Sequence, residues 1–80
     1  MPTVFRDSGF EIRIRTRDHG PPHVHVCHSG KEVVILLGTE GNVPTVRDKR
    51  EMSERNIRRA LELVAQNQRL LLLEWRRIYG

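Results

Sequence analysis

The chain is 80 residues long, 38% hydrophobic and 30% charged, with a net charge of +4 and one cysteine. That length holds one domain whose core is near the practical minimum, and the balance of apolar and charged residues excludes a disordered or low-complexity chain. Cys27 alone excludes a disulfide scaffold, and with neither a run of about 20 apolar residues nor a leader pattern, a cytoplasmic, non-membrane protein is expected.

In chain order, Thr3-Val4-Phe5-Arg6 predicts a short strand closed by the turn Asp7-Ser8-Gly9. From Phe10 the pattern alternates. Phe10, Ile12, Ile14 and Thr16 share one face, and Glu11, Arg13, Arg15 and Arg17 share the other, which makes a half-buried strand with three arginines on its wet side. Gly20, Pro21 and Pro22 form a stiff turn, because the prolines lack amide donors for regular pairing. His23 to His28 predicts a second strand, with Val24 and Val26 on one side and His23, His25 and Cys27 on the other. Ser29-Gly30-Lys31 reverses the chain. Val33 to Leu37 is apolar on both faces, as in a central strand covered on both sides, and Gly38 to Gly41 reads as a loop. Val43 to Val46 suits either a short edge strand or extended coil, since Pro44 sits inside it.

Ser53 is a good helix N-cap, with Met52 and Ile57 placed for a hydrophobic staple. Ile57, Leu61, Val64, Leu71, Leu72, Trp75, Ile78 and Tyr79 nearly trace one helical stripe. One continuous helix would be about 39 Å long, more than the expected sheet width. It would also put Gln68 on the stripe and leave Leu63, Leu70 and Leu73 away from it. A kink or break around Gln66-Asn67-Gln68 relieves this. The alternative is a long helix whose second half packs on another subunit in a homodimer. The expected fold is α+β: a three- or four-stranded, mainly antiparallel sheet against a bent or broken C-terminal helical segment. A single domain spans 1–80, with the sheet in 1–50 and the helical tail in 51–80. The expected inward set is Phe5, Ile12, Ile14, Val24, Val26, Ile35, Leu61, Val64, Leu72 and Trp75.

Asp18-His19-Gly20-Pro21-Pro22-His23-Val24-His25 concentrates the chemistry. Imidazole suits transition metals, but His23 and Cys27 would lie about 13 Å apart along an extended strand. The better partial ligand set is His23 and His25 with Asp18 or His19. No zinc-finger or paired-carboxylate spacing accompanies it, and no metal or other cofactor is assigned. A second reading makes His23 and His25 an acid–base pair, with Arg13, Arg15 and Arg17 stabilising phosphoryl oxygens. A third is binding alone, in which the same arginines with Arg55, Arg58 and Arg59 contact phosphates of RNA or DNA. The ordinary alternative is a polar sheet face whose arginines are solvated or paired to Glu11 and Asp18. The net positive charge favours an anionic partner. Of the 14 lysines and arginines only Lys31 and Lys49 are lysine, and arginine suits bidentate phosphate or carboxylate contacts.

Met1-Pro2-Thr3-Val4, the Asp-His-x-Pro-Pro-His-x-His core at Asp18 to His25, Ala60-Leu61-Glu62-Leu63-Val64 and Leu71-Leu72-Leu73-Glu74-Trp75 together resemble the small bacterial proteins of the DUF4160 family. Cys27 stands where the family commonly carries an aromatic residue. The resemblance makes Asp18, His19, Pro21, Pro22, His23 and His25 the family-like positions. It implies partnership with a DUF2442-like protein in a toxin–antitoxin-like pair. The function expected is therefore a small toxin–antitoxin-like protein that binds a protein partner or nucleic acid. The alternatives are a histidine-dependent nuclease or phosphoesterase, with His23 and His25 catalytic, and a non-catalytic structural or regulatory interaction module.

Overall fold

A computed structural model describes residues 3–15, 20–39 and 41–79. Arg17, Asp18 and His19 lie outside the described residues, as does Thr16.

Two Ser-Gly turns set the first part of the fold. Ser8 and Gly9 have φ of 50° and 82°, and Ser29 and Gly30 have φ of 49° and 76°. Paired left-handed residues give a two-residue hairpin whose twist matches that of the flanking strands, and glycine takes the second position without a Cβ penalty. These turns fix Asp7 opposite Phe10 and His28 opposite Lys31. The strands β1 (Thr3–Asp7), β2 (Phe10–Arg13), β3 (His23–His28), β4 (Lys31–Leu36) and β5 (Thr45–Asp48) form a five-stranded sheet in sequence order. Every neighbouring pair is antiparallel. The fifth strand exceeds the expected three or four. It begins just after Pro44, which has no amide to donate, so pairing is displaced from Val43–Val46 to Thr45–Asp48.

The register separates two faces. On one, Ile12 faces Val26, which faces Val33, and Val24 faces Ile35. All five are fully buried. On the other, Glu11 faces Cys27 and then Glu32, while Arg13 faces His25 and then Val34. β4 is buried on both faces through Val33, Val34 and Ile35, as its unbroken apolar run requires.

Helix α1 (Glu54–Gln66) starts at Ser53, whose Oγ accepts from the Asn56 amide, and the staple residues Met52 and Ile57 are both buried. Glu54 pairs with Lys49. The expected break is present. Asn67 ends α1, its amide bonding to the Leu63 and Val64 carbonyls and its Nδ2 donating to the Leu63 carbonyl, and α2 (Gln68–Tyr79) follows. α1 packs over β4 and against α2.

The buried faces of the two helices correct part of the expected core. Ile57, Ala60, Leu63 and Val64 are buried in α1, and Leu71 and Trp75 in α2. Leu63, expected off the stripe, is fully buried, while Leu61, Leu72 and Phe5 are only partly buried against the core. Gln68 is used rather than misplaced: its Oε1 accepts from the Gly38 amide at 2.7 Å and its Nε2 donates to the Asn42 carbonyl at 3.1 Å. A Cβ on Gly38 would lie 1.8 Å from the Asn42 oxygen, so this turn admits only glycine there. No helix among the described residues is long and apolar enough to cross a membrane.

Leu63→Ala is expected to cost about 3 kcal/mol through lost burial and a cavity, whereas Leu73→Ala, on the exposed side of α2, is expected to cost less than about 0.5 kcal/mol. Urea denaturation of the two variants checks the helix phasing, and equal losses would contradict it.

Candidate functional site

β3 places His23, His25 and Cys27 on one face by simple alternation. The face is not open. His23 and His25 are each 4% exposed. The cause is the company they keep. The His23 ring lies 5.2 Å from Trp75 and 5.4 Å from His25, and Trp75 lies 4.3 Å from Tyr79 (centroid distances). The Tyr79 hydroxyl donates to the Arg15 carbonyl. α2 thus reaches past the apolar core to cover the start of β3.

The polar atoms of these rings are also engaged. His23 Nδ1 donates to the Pro21 carbonyl at 2.9 Å, within the diproline turn that follows the cis Gly20–Pro21 peptide. His25 Nδ1 donates to Glu32 Oε2 at 2.8 Å. The same carboxylate accepts from Arg15 Nη2 at its Oε1 and from Arg50 Nη1 at its Oε2, each at 2.6 Å. Glu32, unmarked in the sequence, is therefore the centre of this face. Arg13 pairs with Glu11 at 2.7 Å, and Arg50 also pairs with Asp48. Of the expected arginines, Arg13 bonds to Glu11 and Arg15 to Glu32. Arg17, Asp18 and His19 lie outside the described residues. His28 belongs to the other face, stacked on Phe10 at 4.0 Å with its Nδ1 donating to the Gly9 carbonyl.

The charges follow from this wiring. Burial pushes the Glu32 carboxyl up, but the hydrogen bond from His25 and the charges of Arg15, His25 and Arg50 outweigh it and hold the group below its usual range. Burial raises the Cys27 thiol, only partly offset by Arg13, so Cys27 is not an activated nucleophile. A shallow hollow of about 320 Å³ beside Cys27 is lined by Glu11, Arg13, Glu32 and the Ser29–Lys31 turn, and not by His23 or His25. Among the described residues no group of three or more histidine, cysteine, aspartate or glutamate side chains is placed to hold a metal ion.

A second candidate surface lies on α2. Leu70 is 44% and Leu73 56% exposed. Beside them a groove of about 420 Å³ runs between α2 and the turn that holds Gly38 and Gly41, with Arg69, Leu72, Leu73 and Arg76 along its helical wall. Leu63, grouped with Leu70 and Leu73 by periodicity, is absent from this surface because it is core.

Comparison with curated proteins and with solved structures finds no match. The sequence model of the family described as a domain of unknown function, DUF4160, matches residues 9–76. The matched span runs from the first hairpin turn into the last turns of α2, taking in both candidate surfaces. The chain belongs to the DUF4160 family.

Glu32→Gln is expected to cost about 2–3 kcal/mol at neutral pH, because it weakens the bonds that hold His25, Arg15 and Arg50. The folded-state pKa of Glu32 lies below its ordinary value of 4.5. The unfolded chain therefore takes up this proton first on acidification. The stabilisation is full above that value and is lost as pH falls through the folded-state pKa. Denaturant midpoints measured from neutral to acid pH should fall less steeply in Glu32→Gln than in the wild type, and parallel curves would remove Glu32 from its central place.

Proposed function

We propose that this DUF4160 protein is a non-catalytic interaction module that binds a protein partner through α2, acting in the cytoplasm as one member of a toxin–antitoxin-like pair. The observation that carries this reading is the contrast between its two surfaces. The histidines that would perform acid–base chemistry are buried and bonded to Pro21 and Glu32. The leucines that a monomer would ordinarily cover are exposed on α2. A free cysteine and no disulfide fit a reducing compartment. The net positive charge suits an anionic partner of either kind, but the rings that nucleic-acid binders use as stacking platforms are spent here on packing. Phe10 and Trp75 are buried and Tyr79 packs on the core. A protein partner is therefore favoured.

The DUF2442-like protein implied by the family resemblance is the first partner to test. Co-expressed with the wild type, it is expected to co-elute as one species. With Leu70→Glu/Leu73→Glu the two should elute apart while both remain folded. RNA or DNA cleavage by the purified wild type, with or without divalent metal, that disappears in a folded His25→Ala variant would overturn this reading in favour of a nuclease.

A further inference from the structure

Resting on the protein-binding reading above, we propose that the α2 groove takes an acidic amphipathic helix of the partner, with its apolar residues on Leu72 and Leu73 and carboxylates on Arg69 and Arg76. These four residues follow the i, i+3, i+4, i+7 spacing of one helical face. The two arginines bracket the leucines about 10 Å apart along the axis. A helical ligand lying along the groove meets both with carboxylates seven residues apart, which leaves its intervening apolar turn over Leu72 and Leu73.

Three observations point to this occupant. Both arginines are exposed and, among the described residues, neither has an ion-pair partner, whereas Arg77 on the same helix is held by Glu74. Arg69 sits in the first turn of α2, which carries no acidic residue. A cation there gains nothing from the helix dipole, so helix stability does not account for it. The opposite wall carries Gly41, where a Cβ would meet nothing within 4 Å, so the missing side chain there leaves room for a helix backbone to approach. A second copy of this chain is the poorer occupant. Antiparallel pairing of α2 with itself about a two-fold axis sets Arg69 of one copy against Arg76 of the other, and like charges repel.

The test is selection from a display library of random helical peptides on the purified full-length protein, followed by titration of the enriched peptides. Enriched sequences are expected to carry acidic residues seven apart around an apolar pair. Arg69→Glu/Arg76→Glu, both at exposed positions, should weaken their binding at least about tenfold. Added salt should weaken wild-type binding in the same direction. Peptides that need Leu73 but show no acidic preference, or that ignore the arginine reversal, would overturn the acidic occupant and leave the protein-binding surface standing. Enriched peptides indifferent to Leu73→Glu would overturn both. A concentration-dependent dimer abolished by Leu73→Glu would assign the groove to a second copy instead.

Discussion

Glu32 sits on β4 with its carboxylate taken by Arg15 from just past the end of β2, His25 from β3 and Arg50 from the turn after β5. Removing a carboxylate from water is costly unless its oxygens are paired. Here the pairing draws three separate parts of the chain to one point. The arrangement also sets what the polar face is free to do. A histidine donating from Nδ1 to a carboxylate is held in the geometry that orients a general base, and here the ring so held is 4% exposed.

The break at Asn67 governs the other surface. A straight helix would carry one stripe and leave its leucines scattered. Interrupting it lets α1 seat Leu63 and Val64 on the sheet while α2 swings Trp75 over His23. With Leu71 and Trp75 turned inward, Leu70 and Leu73 face outward, and Arg69 lines up with Arg76 one i, i+7 step along the helix. Gln68 stabilises the junction by bonding to Gly38 and Asn42, so the turn that forms the far wall of the groove is tied to the helix that forms the near one.

Much of this was legible in the residues. Alternation from Phe10 and from His23 gave both strands and their faces, because a period of two is unambiguous where one side is apolar, although the first strand stops at Arg13 while the alternation continues past it. Ser53 with Met52 and Ile57 marked the helix start, and the poor fit of Gln68 marked the break. Leu63 was misplaced because the stripe was drawn through Leu61, whereas the buried face of α1 runs through Ile57, Ala60, Leu63 and Val64, on the other side of the Ile57–Val64 line. Glu32 was missed because its role depends on register between strands. The signal was present: Ser29-Gly30 is a two-residue hairpin, which sets Cys27 opposite Glu32 and so puts Glu32 on the His25 face. The closing of that face by Trp75 depends on where α2 lies in space, and no local pattern carries it.

The claim on which the rest stands is that the imidazoles of the Pro-Pro-His-x-His segment are bound inside the protein. Long-range nitrogen–proton NMR spectra of the histidine rings, recorded near neutral pH with and without added inorganic phosphate, test it most directly. If Pro21 and Glu32 hold the rings as described, His23 and His25 both show a protonated Nδ1, and their nitrogen shifts do not move on addition of phosphate. A His25 ring deprotonated at Nδ1, or ring shifts that titrate with phosphate, would contradict it and return the face to phosphoryl chemistry.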